Sequence, residues 1–324
     1  MTAGPQAKQA GRTGDSVSAP VPGRRCGHCN AGAGPACGVR GYRRAMGYRE
    51  LRAPAALAGL VECGWVDTPA ADAPHDVLPD GCMDLVWTGA QLLVAGPDTV
   101  AQPGRRIRGM TVAGLRFLPG ALPSLLNVPA AALHNHRVAL AELLPGPSRE
   151  AVARLESGEE AITVLTALAI GLPGAAPDRS VAALRGALSP ARSASPSNAA
   201  AGAGRAASGV DLDLAVGACA EPLGPHGSVA ELADALGCTP RSVHRRCLTA
   251  FGYGPAVLRR VLRFRRAAAM LRAGVPAAEV AAAAGYADQP HLSRETRAFA
   301  GASPGQLAGA KRSTPLPSGS STTA

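Results

Sequence analysis

Two groups of polar and basic side chains in the last third of the chain have the spacing of a helix face that could bind DNA. The first group is Arg241, Ser242, His244 and Arg245. The second group is Gln289, His291, Ser293 and Arg294. An arginine can donate two hydrogen bonds to the O6 and N7 atoms of guanine, worth ~1–3 kcal/mol of discrimination. The same arginines could instead contact phosphates, which would position the protein without specifying a sequence.

The residues around the first group predict a helix-turn-helix unit. Ser228 and Glu231 have the spacing of a capping box, which begins a helix. Apolar residues follow at helical spacing, Gly237 supplies a turn, and Thr239 can cap a second helix. The inward side of that second helix repeats every four residues, at Val243, Cys247 and Phe251. The first group then lies on the outward side, which is the geometry that enters a major groove. Two packed helices with a solvated basic face are the alternative interpretation of a single unit.

The same pattern occurs a second time after residue 276, with a turn at Gly285 and a cap at Asp288. Between the two units, Pro255–Arg272 has no internal helix breaker and predicts a linker helix of ~25 Å. Such a helix could hold two reading helices about one DNA turn (~34 Å) apart. The arginines of the linker helix are expected to be solvated, with contact to the DNA backbone as the alternative, and they are Arg259, Arg260, Arg263, Arg265 and Arg266.

These segments resemble the AraC/XylS family of transcriptional regulators. The resemblance covers about residues 210–310 through ELADALGCTPRSVHRRC, LRRVLRFRRAAAMLRAG, GYADQPHLSRE and GASPGQL. It implies base contacts from the first helix at Arg241, His244 and Arg245. It implies further base contacts from the second helix at Gln289, His291 and Arg294. The sequence departs from the family pattern at Glu295, Thr296 and Ala298, which we expect to weaken the second contact without disturbing the fold.

The distribution of charge agrees with a DNA-binding module at the C-terminus. The whole chain has a net charge of +10, of which residues 1–45 carry +6, residues 46–227 carry −4 and residues 228–324 carry +8. Residues 1–45 have almost no large apolar side chains and are predicted to be disordered, so that Met46 is a candidate start of the protein. Residues 311–324 are predicted to be a disordered tail.

The remaining segments predict a multi-domain α+β chain. Residues 46–172 are expected to form a β-rich sensor or regulatory domain with trailing helices, 173–209 a flexible linker, and 210–310 an all-α DNA-binding domain that begins with a packing helix near 210–219. The predicted strands of the front domain are Met83–Trp87, Gln91–Ala95 and Met110–Phe117. The predicted helices before the second domain are Leu122–Leu126, Ala130–Leu133, Arg149–Gly171 and Ser180–Leu188.

The segment from residue 78 to residue 145 is similar to a β-rich N-terminal domain of one bacterial branch of the same family. That resemblance implies that the front domain senses a ligand or mediates dimerisation. Candidate ligand-binding residues beside the predicted strands are Asp80, Asp84, Trp87 and Arg116. Turn-forming residues and edge charges of a sheet are the alternative interpretation of the same four positions.

Catalytic and metal chemistry find little support in the sequence. Half of a zinc site is suggested by Cys26, His28, Cys29 and Cys37. A repair protein that transfers alkyl groups from DNA would need four clustered thiolates, and a cupin-like enzyme would need more metal ligands than His134 and His136. Cys238 and Cys247 are expected to be small core residues. The chain is therefore predicted not to be an enzyme and to need no metal or cofactor, with those two functions as alternatives.

The expected partner is double-stranded DNA of a promoter or operator. RNA polymerase, a small-molecule effector and a second copy of the chain are further candidates. The sequence has no apolar run of ~18 residues and no apolar N-terminal segment, so we expect a cytoplasmic protein without a membrane partner. The operator, the direction of regulation and the effector lie beyond the sequence.

Overall fold

The computed structural model describes residues 47–190 and 228–309. Residues 47–172, the front domain, contain eight strands. These are β1 (Gly47–Arg52), β2 (Val61–Thr68), β3 (Ala73–Val77), β4 (Met83–Trp87), β5 (Leu92–Ala95), β6 (Gln102–Arg106), β7 (Val112–Phe117) and β8 (Arg137–Ala139). Six of them form an antiparallel sheet in the order β1-β2-β7-β4-β5-β8, and β3 pairs with β6 as a separate two-stranded sheet.

The two faces of the larger sheet differ in polarity because side chains alternate along each strand. Leu85 and Leu115 are directly paired across β4 and β7 and are fully buried on the apolar face. Four helices belong to the same apolar cluster, and they are α1 (Leu122–Leu126), α2 (Leu140–Leu143), α3 (Pro145–Glu156) and α4 (Ala161–Ile170). On the opposite face, the neighbouring pair Asp84 and Arg116 is polar. This register leaves one face of the sheet for the core and one for polar contacts.

The predicted strands of the front domain occur in the structure with small changes at their ends. The expected helix Arg149–Gly171 is wrong as a single element, because α3 ends at Glu156 and α4 begins at Ala161. Gly158 has φ +90° between them, and the side chain of Glu160 accepts a hydrogen bond from the Thr163 amide to begin α4. The expected helix Ala130–Leu133 is a single 3-10 turn, Ala130–Ala132.

The second part of the chain is a helical domain. Its helices are α5 (Arg179–Leu188), α6 (Val229–Ala235), α7 (Pro240–Phe251), α8 (Pro255–Arg272), α9 (Ala277–Ala284), α10 (Gln289–Ala300) and α11 (Pro304–Gly309). One apolar cluster joins them, with Phe251 and Phe264 among its largest buried side chains. The two predicted domains, one β-rich and one helical, are thus confirmed as the fold class.

The helix α5 lies within the range 173–209 that the sequence suggested as a flexible linker. Val181, Leu184, Ala187 and Leu188 are buried in the apolar cluster of the helical domain. This part of the range is therefore packed against the helical domain and is not a flexible linker. Detachment of the helix would expose four apolar side chains to water, which is unfavourable. The rest of the expected linker, from residue 191, and the expected packing helix near 210–219 lie outside the described residues.

Candidate nucleic-acid interface

The first helix-turn-helix unit consists of α6, a turn and α7. The Ser228 side chain accepts from the Glu231 amide at 3.1 Å, and the Glu231 carboxylate accepts from the Ser228 amide at 2.9 Å, which completes the predicted capping box. Gly237 takes φ +60° in the turn. The Thr239 side chain accepts from the Ser242 amide and begins α7. Because Val243 and Cys247 are fully buried, the outward side of α7 faces solvent.

The second unit, α9 and α10, repeats this construction. Gly285 has φ +79° in the turn, and the Asp288 carboxylate accepts from the His291 amide at 2.6 Å. Both α7 and α10 contain 12 residues, and each ends at a glycine with positive φ. Leu292 and Thr296 are fully buried at the positions of Val243 and Cys247 in the first unit. The Thr296 hydroxyl donates to the Leu292 carbonyl, so this departure from the family pattern is satisfied within the core.

The predicted base-contacting residues fall into two groups by their surroundings. Those exposed on the outward sides of α7 and α10 are Arg241, His244, Arg245, Gln289 and Arg294, and those half-buried there are Ser242, His291 and Ser293. The structure therefore brings each group together on one helix. Their contacts with bases stay a prediction.

The two histidines pack against their own units more closely than the arginines do. The His244 ring lies so close to the backbone of Gly254 that a Cβ atom there would be 2.7 Å from its Cε1. The His291 ring contacts Tyr286 edge-on with 5.2 Å between centroids. Both rings are therefore restricted by packing within their own units. The exposed side chains of Arg241, Arg245 and Arg294 have more freedom to reach a base or a phosphate.

The linker helix α8 is joined to α10 of the second unit by ion pairs to one buried carboxylate, Glu295. The Glu295 carboxylate, on α10, accepts from Arg260 Nε at 2.7 Å and from Arg263 Nη2 at 3.5 Å. Arg263 also lies over the ring of Tyr286. The expectation that these arginines are solvated is therefore wrong for Arg263, whereas Arg260 is exposed as expected and is also ion-paired. These two cationic partners explain the presence of the Glu295 carboxylate on α10.

Arg265 is another arginine of α8 that departs from the solvated prediction. It donates to the Glu62 carboxylate of β2, and its Nη1 donates to the Cys82 sulfur at 3.4 Å. Burial raises the pKa of the Cys82 thiol well above its ordinary value, so the group keeps its proton and donates to Glu62 at 3.3 Å. Arg265 thus contacts the front domain and is not a free cation for the DNA backbone.

Three of the four candidate ligand residues form one buried polar cluster. Arg116 donates to both carboxylate oxygens of Asp84 at 3.1 Å, and its Nε lies 3.6 Å from Asp80. Trp65, which the sequence did not single out, donates to Asp84 at 3.3 Å. Burial raises the pKa of Asp84, although the Arg116 guanidinium opposes that shift. Pairing of both carboxylates with the Arg116 guanidinium partly offsets the cost of burying these charges.

Trp87 is separated from this cluster. It lies three residues after Asp84 on β4, and alternation places it on the other face, where it packs against the apolar core of the front domain. The structure therefore does not bring the four residues together on one face of the sheet. In the described residues, Arg116 Nη1 has no hydrogen-bond partner. A ligand role for Asp80, Asp84, Trp87 and Arg116 stays a prediction.

The sequence did not indicate how closely the front domain contacts the helix-turn-helix domain. Gly81 approaches Leu262 of α8, and Gly120 packs against Phe251 of α7 so closely that a Cβ atom would be 2.7 Å from its ring. His134 contacts the ring of Tyr253, directly after α7. No local pattern in the sequence identifies partners so distant along the chain.

Metal binding by His134 and His136 has no support in the geometry. His134 shares a hydrogen bond with Thr99, and His136 Nδ1 contacts the His134 carbonyl. Among the described residues, no group of three His, Cys, Asp or Glu side chains could hold a metal ion. The suggested zinc residues Cys26, His28, Cys29 and Cys37 lie outside the described part of the chain. The helices within that part are all too short or too polar to cross a membrane.

Comparison with known families separates the two domains. Residues 232–310 match the model of a helix-turn-helix domain, which covers the range from α6 to α11. The helical domain is an AraC-type helix-turn-helix domain. An AraC-type domain makes the chain a DNA-binding transcriptional regulator. Residues 49–139 match a domain of unknown function, DUF6597, which spans the strands of the front domain.

Two further comparisons add little. No curated protein sequence matches the chain. Among solved structures, the chain is similar to apo ToxT from Vibrio cholerae strain SCE256, with 9% sequence identity and a TM-score of 0.38. The similarity covers 76% of this chain and 96% of that chain. At these values it carries no conclusion about the regulator.

Proposed function

We propose that this regulator binds a specific promoter sequence by placing α7 and α10 in two adjacent segments of the major groove. The observation that carries the proposal is the repeated construction of α7 and α10, which have the same length, the same type of cap and exposed arginines on their outward sides. Both helices are anchored to α8, whose 18 residues correspond to ~27 Å. That length is compatible with two contacts on one side of a duplex, about one turn (~34 Å) apart.

The front domain is proposed to modulate this binding, through a small-molecule effector or through dimerisation. Its direct contacts with α7 and α8 support a mechanical route from the front domain to the reading helices. The role of the protein is proposed to be binding and not catalysis, with DNA and RNA polymerase as partners in the cytoplasm. Effector binding would act on DNA affinity only if the effector favours one arrangement of these contacts over another.

The test begins with selection of a DNA duplex from a random pool by the full chain. Arg245→Ala and Arg294→Ala should each lower affinity for the selected duplex by ~1–3 kcal/mol and relax its sequence preference, because each removes a candidate contact to a base edge. Fluorescence anisotropy with labelled duplex measures both effects. Arg149→Ala, which removes an exposed arginine from α3 of the front domain, is the matched control.

Two results would contradict the proposal. The first is that the full chain selects no duplex above the non-specific background. The second is that both reading-helix variants bind every duplex as the wild type and Arg149→Ala do, in which case α7 and α10 do not read bases.

A further inference from the structure

A short loop of the front domain contacts the C-terminal ends of both reading helices. This bridging loop consists of residues 97–101 and lies between β5 and β6. At its first residue, Pro97 packs on Gly252, the cap of α7, where a Cβ atom would lie 2.8 Å from the proline Cγ. At its last residue, the Ala101 amide donates to the Phe299 carbonyl in the final turn of α10 at 2.8 Å.

The contact at Phe299 satisfies a group that the helix itself cannot satisfy. The last four carbonyl groups of an α-helix have no partner within the helix, and Phe299 is the next-to-last residue of α10. A backbone amide of the front domain therefore caps the second reading helix. On α7, the same loop meets the chain at a glycine with φ +82°, and because this residue has no side chain the Pro97 ring packs directly on its backbone.

Asn135 holds the bridging loop in a fixed shape. Its Oδ1 accepts from the Thr99 amide at 2.8 Å, its Nδ2 donates to the Thr99 hydroxyl at 3.1 Å, and its own amide donates to the Pro97 carbonyl at 3.0 Å. Asp98 is buried and paired with Arg137 at 2.6 Å. Four contacts on five residues leave the loop little conformational freedom.

We propose that the bridging loop fixes the distance between α7 and α10 and thereby selects the separation of the two DNA segments that the regulator accepts. The inference rests on the proposed function, because it assumes that both helices read DNA. The linker helix α8 connects the two units at one side, and a second contact at the ends of both helices restricts their rocking about α8. A shift of one base pair moves a DNA segment by ~3.4 Å, which is larger than the tolerance of a hydrogen bond.

Residues of the bridging loop are thus positioning residues, which determine DNA specificity without touching DNA. The experiment uses the duplex selected by the full wild-type chain and two derivatives, in which one base pair is inserted or removed between the two contacted segments. Footprinting on the parent duplex locates those segments. The affinities for the three duplexes give a spacing profile for each variant.

Asn135→Gly is the test variant, since it removes the side-chain hydrogen bonds to Thr99 while glycine tolerates the φ of +59° at this position. Asn127→Gly is the matched control, because Asn127 has φ +57° and is exposed at the end of α1. Asn135→Asp keeps an acceptor for the Thr99 amide and should therefore show the same spacing profile as the wild type. Amide hydrogen exchange at Ala101 reports whether the loop has loosened.

We expect the wild type, Asn127→Gly and Asn135→Asp to prefer the parent spacing by about tenfold. Asn135→Gly should exchange the Ala101 amide faster and reduce that preference to about threefold or less. The proposal is overturned if Asn135→Gly keeps the wild-type spacing profile, or if exchange at Ala101 does not accelerate. A full chain that selects no duplex at all contradicts the proposed function itself, and this outcome is distinct from both.

Discussion

His75 of β3 is a half-buried imidazole with cationic neighbours. Burial, reinforced by Arg106 and by Arg272 of α8, lowers its pKa below the ordinary value of 6.5, while Asp67 and Asp76 oppose that shift. Below about pH 6.5 the unfolded chain takes up a proton at this position that the folded chain resists. The contribution of His75 to stability is therefore fully present above that pH and is lost as the pH falls from there through the lower pKa of the folded state.

Urea unfolding at about pH 7.5 and about pH 5.5 checks this expectation. The unfolding midpoint of the wild type should fall on acidification, and that of His75→Gln should fall less, because the neutral amide cannot take up the proton. His136→Gln, which changes an exposed histidine, serves as the control. Equal pH dependence of the wild type and His75→Gln would show that this imidazole does not contribute.

For individual residues, the sequence could predict which face of a helix a residue occupies but not which other residue it contacts. Helical spacing placed Arg241 and Arg245 on the outward side of α7 correctly. Arg265 has the same chemistry and was expected in solvent, yet its partner Glu62 lies 203 residues earlier in the chain. No local pattern carries that information, because the contact depends on how two domains pack.

Among the elements, the attachment of α10 to α8 includes one buried carboxylate, Glu295, beside the apolar contact of Phe264 with Phe299. Removal of one partner from a buried ion pair costs about 3–5 kcal/mol, and the 45% exposure of the Arg260 side chain places Glu295→Ala at or below the low end of that range. The variant should be less stable in urea unfolding, because Arg263 remains buried without its carboxylate. Glu159→Ala, which breaks the exposed pair with Arg154 on the front domain, should leave the midpoint unchanged. Equal midpoints for both variants would contradict the structural role of Glu295.

The elements that the sequence could predict are those with apolar alternation or capping signals. β4, β5 and β7 are apolar strands, and the caps at Ser228, Thr239 and Asp288 mark helix starts. The strands β1, β3 and β6 are rich in charged residues, proline and glycine, because each occupies an edge or a two-stranded ribbon with exposed side chains. Pairing with a neighbouring strand defines them, and pairing is not visible in a local pattern.

For the whole molecule, the ion pair between Glu62 and Arg265 should couple the two domains. Glu62→Gln, Arg265→Gln and the double variant form a double-mutant cycle, and we expect a coupling energy of ~1–3 kcal/mol because both side chains are largely buried. Urea unfolding of the full chain gives the three changes in stability. A coupling energy near zero would mean that the pair contributes nothing to the association of the front domain with α8.

The burial of α5 among the helices of the two helix-turn-helix units determines where such a protein could be recombined. The segment that carries both helix-turn-helix units is continuous in sequence, yet part of its apolar core comes from Val181, Leu184 and Leu188, before the segment begins, and from Leu78 of the front domain. Grafting residues 228–309 onto a different sensor would expose the surfaces that these side chains cover. The boundary at which this gene could exchange its sensor therefore lies ahead of α5, and the exchange would require a new sensor able to replace Leu78 and the bridging loop.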